Sequence, residues 1–105
     1  MIGVVGGTGL RKIDGFNIAR ELLVDTPYGK PSDKILVGKL EDRDVAFLAR
    51  HGEGHTIPPH LINYRANIFA LENLGVEAIF SIATVGSIPS EIQPGSIVFP
   101  NQIID

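Results

Sequence analysis

A glycine-rich loop near the start of the chain is the first feature whose residue types could support chemistry. The stretch IGVVGGTGL, residues 2–10, places Gly6, Gly7, Thr8 and Gly9 directly after an apolar run. Glycines that follow a strand let backbone N–H groups approach an anion closely. The loop therefore predicts a site for a dinucleotide, a nucleoside triphosphate or free phosphate, although a merely tight turn uses the same residue types.

The residues that follow the loop argue against the two larger anions. A dinucleotide fingerprint needs a third glycine where this chain has Lys12, and it needs a helix after the loop. The following segment, RKIDGFNIA, has no amphipathic helical period and carries Gly15 at its centre. A triphosphate loop needs Gly-Lys-Ser or Gly-Lys-Thr, and neither follows here.

Two further polar clusters favour a small anion. Arg50 and His51 stand at the end of a predicted strand and precede glycines. A guanidinium can donate two parallel hydrogen bonds to two phosphate oxygens, although a surface ion pair is the alternative role for Arg50. Thr84 ends another apolar run, at the position where open α/β sheets tend to bind ligands. Three strand ends of this kind could converge on one free phosphate.

The histidines at positions 51 and 55 also raise the question of a metal site. They are four residues apart with Glu53 between them. The zinc-protease motif needs the order H-E-x-x-H on a helix, whereas HGEGH has another order and two glycines that oppose a helix. We therefore expect no metal here.

Composition limits the classes of protein that the chain can belong to. It has 105 residues, of which 44% are hydrophobic and 20% charged, as is typical of one soluble globular domain. Nine basic and twelve acidic residues give a net charge of -3, and the basic residues are dispersed, which disfavours nucleic-acid binding. There is no cysteine, no apparent signal peptide and no apolar run long enough to span a membrane. We expect a cytoplasmic protein.

Short apolar runs predict the strands that would position these clusters. Residues 2–5 form a first buried strand, and ARELLVDT, DKILVGKL and RDVAFLAR form an antiparallel meander. Further on, VEAIFSIAT predicts a strand buried on both faces beside parallel neighbours, and SIVFP predicts a final strand.

One amphipathic helix is predicted over LINYRANIFALENLG, with a capping glycine at Gly75 and Pro58 and Pro59 at its approach. Asn63 and Asn67, with Tyr64 and Arg65 between them, are interpreted as helix capping and packing residues. The predicted fold class is therefore α/β, a mixed β-sheet flanked by helices. No covering helix follows the last predicted strand, so we expect residues 1–105 to be the first part of a longer domain.

Four motifs together carry a family resemblance. In order along nearly the whole chain, VVGGTGL, DTPYGKPSD, ARHGEGHTIPPHLINYRANIFAL and GSIPSEIQPGSIV resemble the N-terminal portion of the trimeric purine nucleoside phosphorylase family, among whose members are the methylthioadenosine phosphorylases. The resemblance implies a purine nucleoside phosphorylase-like fold. It also implies phosphorolysis, in which inorganic phosphate displaces a purine from C1′ of a ribose without a metal or organic cofactor, and a homotrimer or multiple of trimers.

The same resemblance implies roles for particular residues. Thr8, Arg50, His51 and the Ala83-Thr84 pair match positions that bind phosphate. Gly6, Gly7 and Gly9 would support the loop around Thr8. Related enzymes often have a hydroxyl residue where this chain has Ala83, so a side-chain contact to phosphate is missing there.

Several alternatives stay open from the sequence alone. His55 and the segment from Thr56 to His60 would line the sugar pocket or a trimer interface, or the histidines would only stabilise this loop by hydrogen bonds. The resemblance places the base-recognition groups and the general acid in a C-terminal part that is absent here, so methylthioadenosine, methylthioinosine and 6-oxopurine nucleosides are not separated. A non-catalytic phosphate- or nucleotide-binding module and an inert fragment are alternatives of a different class.

Overall fold

A computed structural model describes residues 1–7 and 14–104 of the chain. These residues form five β-strands, one 3₁₀ helix and one α-helix. The elements are β1 (Ile2–Gly6), β2 (Phe16–Leu22), β3 (Ile35–Leu40), β4 (Arg43–Ala49), the 3₁₀ helix (Pro59–Leu61), α1 (Tyr64–Asn73) and β5 (Ala78–Ser81). Thr8, Gly9 and Lys12 lie outside the described residues.

The five strands form one mixed sheet in the order β2-β3-β4-β1-β5. Strands β2, β3 and β4 are antiparallel neighbours, which confirms the predicted meander. Strand β1 lies between β4 and β5 and is parallel to both. The predicted α/β class with a mixed sheet is therefore confirmed.

Period-two alternation divides the core between the two faces of the sheet. Ile35, Val37, Ala46 and Leu48 point to one face, where they pack with Ala70 and Leu71 of α1. The other face carries a smaller cluster made of strand residues only, namely Phe16, Leu36, Val45 and Phe47. In the described part of the chain, the helix therefore covers one face of the sheet over β1, β3 and β4.

The ends of α1 follow the capping chemistry that the sequence predicts. The Asn63 side chain accepts a hydrogen bond from the backbone N–H of Ala66 at 3.1 Å, as an N-cap does, and also donates to the carbonyl of Tyr28 at 2.8 Å. Gly75 follows the helix with φ of 86°, the left-handed conformation that glycine adopts most easily. Asn67 is buried, which agrees with its interpretation as a packing residue.

Three details of the strand predictions are wrong. The segment ARELLVDT does not form a strand as a unit, because β2 begins earlier, at Phe16, and ends at Leu22. Strand β5 is exposed along its length, since it lies at the edge of the sheet and pairs with β1 alone. Residues 96–100 form no strand, because no neighbouring strand in the described chain provides them with a hydrogen-bonded ladder.

Candidate functional site

The candidate site lies where the three parallel strands end. Strands β1, β4 and β5 run in the same direction, so their carboxyl ends meet at one edge of the sheet. Two hydrogen bonds extend the ladders past the strand ends: the N–H of Arg50 donates to the carbonyl of Gly6 at 2.9 Å, and that of Ile82 donates to Val5 at 2.8 Å. The segments that leave the three strands are therefore held side by side.

An open cleft of about 650 Å³ lies between these segments. It is lined by residues from each strand end, from the loop after β4 and from the entry to α1: Gly7, Arg50, His51, His55, Pro59, Tyr64, Ile82, Ala83 and Thr84. Its charged and titratable lining groups are one arginine, two histidines and one tyrosine, with no carboxylate among the described lining residues. The described lining suits an anion, since it offers the positive charge of one arginine and no negatively charged side chain.

The guanidinium of Arg50 is positioned by the strand end opposite its own. One of its terminal nitrogens donates to the carbonyl of Ile82 at 3.1 Å, which links the end of β4 to the segment after β5. Arginine has five N–H donors in a planar fork, so others remain for a ligand in the cleft. No described carboxylate forms an ion pair with Arg50. The surface ion pair considered as an alternative role is therefore not seen in the part of the chain that the structure describes.

His51 begins a loop that folds back on itself. The N–H of Ile57 donates to the carbonyl of His51 at 2.8 Å, and the Nδ1 atom of His51 lies 2.9 Å from the carbonyl oxygen of Ile57. Gly52, Gly54 and His55 all have positive φ, which bends the chain sharply enough to close this loop. The loop holds the His51 ring at the wall of the cleft.

The structure brings most of the sequence-predicted site residues to this one cleft. Gly7, Ala83 and Thr84 line it together with the Arg50-His51 pair, and Gly6 is buried at the end of β1 beneath it. The ring of His55 stacks on that of His51 with centroids 4.2 Å apart and also lines the cleft. The predictions for Thr8 and Gly9 lie outside the described residues, so their roles stay predictions.

Pro59 lies in the segment that the sequence predicts for the sugar pocket or an interface, whereas sequence reasoning did not assign two other lining residues to the site. These are Tyr64 and Ile82, and Tyr64, interpreted from the sequence as a packing residue, is 55% exposed. The signal that could have identified Tyr64 is its place at the first position of α1, which follows the His51 loop and the short 3₁₀ helix.

Two kinds of feature are absent from the described residues. No three histidine, aspartate or glutamate side chains among them are grouped so as to hold a metal ion. Within residues 1–7 and 14–104, none of the helices combines the length and the apolar character that crossing a membrane requires.

Comparison with known proteins decides the family. The family model described as the phosphorylase superfamily matches residues 1–105. The chain belongs to the phosphorylase superfamily. One phosphorylase relative, named S-methyl-5′-thioadenosine phosphorylase, from Saccharolobus solfataricus, is 52% identical over 104 residues, covering 99% of this chain and 38% of the relative.

Two other phosphorylases show how far the similarity reaches. A protein of Thermodesulfovibrio yellowstonii named "Probable S-methyl-5′-thioinosine phosphorylase" is 49% identical, over 99% of this chain and 38% of that protein. The solved structure of methylthioadenosine phosphorylase from Schistosoma mansoni without ligand superposes with a TM-score of 0.80 at 40% identity, covering 90% of this chain and 33% of that one. The chain therefore has the N-terminal part of the purine nucleoside phosphorylase-like fold, and it spans well under half the length of these relatives.

Proposed function

We propose that this chain forms the phosphate-binding part of a nucleoside phosphorylase. The reaction is cleavage of the glycosidic bond of 5′-methylthioadenosine by inorganic phosphate, which yields adenine and 5-methylthioribose 1-phosphate. The observation that carries the proposal is the convergence of Arg50, His51 and the segment at Thr84 on one cleft whose described lining holds no carboxylate. Membership of the phosphorylase superfamily and the names of the relatives support the reaction and substrate.

The chemistry explains why a phosphate cradle is the central requirement. The bond between C1′ and the purine nitrogen breaks through a cation-like sugar, as in glycoside hydrolysis. The purine leaves with the bonding electron pair, and a phosphate oxygen forms the new bond to C1′. Phosphate held beside C1′ stabilises the developing positive charge before it bonds, so the protein contributes positioning and preorganised donors. Phosphate is then a substrate, and the proposal needs no metal or organic cofactor.

Each cleft residue has a role in this proposal. Arg50 would contribute the charged fork and His51 a second polar contact, while the backbone N–H of Thr84 would serve in place of a side chain at Ala83. Thr8, supported by Gly6, Gly7 and Gly9, would close the site from the loop after β1. His55 would lie between the phosphate and the sugar, because its ring stacks on that of His51.

A second candidate substrate differs in the base that leaves the sugar, and it has its own support. Phosphorolysis of methylthioinosine, or of another 6-oxopurine nucleoside, is favoured by the relative named as a thioinosine phosphorylase at 49% identity. The described cleft lining has no carboxylate that would distinguish a 6-amino from a 6-oxo purine. We infer that groups beyond residues 1–105 recognise the base, within one domain of which this chain is the N-terminal portion.

Product analysis separates these candidates. The intact protein that contains residues 1–105 is incubated with phosphate and either methylthioadenosine or methylthioinosine, and adenine or hypoxanthine is quantified by chromatography. We expect phosphate-dependent release of adenine. Release of hypoxanthine alone would favour the second candidate, and phosphate binding without release of either base would identify a non-catalytic phosphate-binding module.

The assembly and location of the protein are also proposals. We infer a homotrimer or a multiple of trimers for the intact enzyme, since the family resemblance implies it, and light scattering on the purified protein measures it. A cytoplasmic location is consistent with the absence of cysteine, because proteins of reducing compartments do not depend on disulfides.

A further inference from the structure

The loop from His51 to Ile57 determines which nitrogen of the His51 ring carries a proton. Nδ1 of His51 lies 2.9 Å from the carbonyl oxygen of Ile57. A carbonyl oxygen only accepts hydrogen bonds, so Nδ1 must be the donor and must carry hydrogen. In the neutral ring Nε2 is then a bare acceptor, and only in the charged ring does it donate.

The ring cannot easily turn to present its other nitrogen. The N–H of Ile57 donates back to the carbonyl of His51 at 2.8 Å, so two hydrogen bonds link the same two residues. Gly52, the second residue of the loop, is buried with φ of 78°, and a Cβ there would meet the Ser32 carbonyl at 3.2 Å. The ring of His55 covers one face of the His51 ring. Nε2 is thus the nitrogen left for a ligand in the cleft.

The groups around the ring make an anion the natural ligand of Nε2. Arg50 precedes His51 at the end of β4, His55 stacks on it from the same loop, and Tyr64 lines the cleft from α1. Glu53, the acidic residue of the loop, is exposed and does not line the cleft. An anionic oxygen without hydrogen would meet the lone pair of neutral Nε2 and be repelled by it.

We propose that His51 binds the oxyanion through one shared proton and is thereby a specificity-determining residue of the phosphate site. The inference rests on the proposed phosphate-binding function. Phosphate brings this proton itself, because both its monoanion and its dianion carry a P–OH group that donates to neutral Nε2. Sulfate has no proton near neutral pH, so Nε2 must first take one proton from solvent and then donate it.

Sulfate is the sharper probe because it does not itself titrate near neutral pH. Any pH dependence of its binding must therefore come from the protein. Sulfate and phosphate are titrated into the chain by calorimetry between about pH 6 and about pH 9, in two buffers of different ionisation enthalpy. We expect sulfate affinity to fall about tenfold per pH unit at the alkaline end, with uptake of close to one proton per sulfate bound.

Variants of the three histidines assign that proton to a residue. In His51→Gln, the amide nitrogen donates at every pH, so we expect sulfate affinity to change less than about twofold over the range. His60→Gln is the matched control, because His60 is exposed and does not line the cleft, and it should keep the wild-type pH profile. Loss of the pH dependence in His55→Gln instead of His51→Gln would overturn the inference.

The outcomes distinguish this inference from the proposed function beneath it. If the binding of both anions depends on Arg50 but not on pH, and if no proton is taken up, proton sharing by His51 is overturned. The proposed phosphate site is then retained. Absence of any anion binding would overturn both. If His51→Gln does not fold, the pH dependence of sulfate affinity and the proton uptake of the wild-type chain, both measured by calorimetry, test proton sharing by themselves.

Discussion

At the scale of single residues, Arg50 has two tasks in this structure. Its guanidinium donates to the carbonyl of Ile82 at 3.1 Å, and its backbone N–H donates to Gly6 at 2.9 Å. The residue thus connects all three parallel strand ends while still presenting donors to the cleft. A lysine would keep the charge but lose the planar fork that does both.

We predict that Arg50→Ala weakens phosphate binding or phosphate saturation by about 10²- to 10⁴-fold, because about two charge-assisted hydrogen bonds are lost. Calorimetry with inorganic phosphate, or the phosphate dependence of base release, measures the effect. Arg43→Ala is the matched control, since Arg43 is exposed at the opposite end of β4 and should leave phosphate binding unchanged. Equal phosphate affinity in the two variants would show that the assignment of Arg50 is wrong.

At the scale of elements, a single buried amide attaches the loop before β3 to α1. The Oδ1 atom of Asn67 accepts from the N–H of Ser32 at 2.8 Å, and its Nδ2 donates to the Ser32 hydroxyl at 3.0 Å. Asn63 reaches the same loop through the Tyr28 carbonyl. The helix is therefore held to the meander as well as packed on the sheet, and this fixes the wall of the cleft that Tyr64 provides.

We predict that Asn67→Ala lowers the free energy of unfolding by about 1–2 kcal/mol, because it leaves both polar groups of Ser32 without their partner. Asn73→Ala is the control: Asn73 is exposed near the end of the same helix, and both changes share the gain in helix propensity. Urea denaturation of the two variants gives the difference. A loss in Asn67→Ala no larger than in Asn73→Ala would show that the amide bridge contributes little to stability.

At the scale of the whole molecule, the described chain divides into a packed part and an exposed part. The core involves β1 to β4 and α1, whereas every described residue from 77 onward is exposed. Large apolar side chains are exposed to solvent there, among them Ile88 at 99%, Phe99 at 84% and Ile104 at 98% exposure. Apolar surface of this extent is typical of surfaces that pack against other protein.

We predict that backbone amides of residues 83–104 exchange with deuterium at close to unprotected rates in the isolated chain, while those of β3 and β4 are strongly protected. Few backbone hydrogen bonds and no buried side chains restrain the later residues. Hydrogen exchange followed by mass spectrometry of peptides measures both regions in one experiment. Protection of residues 96–100 comparable to that of β3 would contradict the prediction and indicate a strand there.

Several elements could be predicted from the sequence because their signals are local. Short apolar runs located β3 and β4, helical spacing located α1, and Asn63 and Gly75 marked its ends, because propensity and capping act between residues close in the chain. Four ordered motifs were also sufficient for the family, which the match over residues 1–105 confirms.

Which strand ends lie together, and which strands are buried, depends on the tertiary structure. Apolar composition predicted that β5 is buried and that residues 96–100 form a strand, but burial and strand pairing depend on neighbours that local sequence does not contain. The parallel arrangement of β1, β4 and β5 is what places Gly7, Arg50 and Thr84 around one cleft. The hydrogen bond between His51 and Ile57 likewise forms only once the loop closes, and it is this contact that makes Nδ1 the donor nitrogen of the ring.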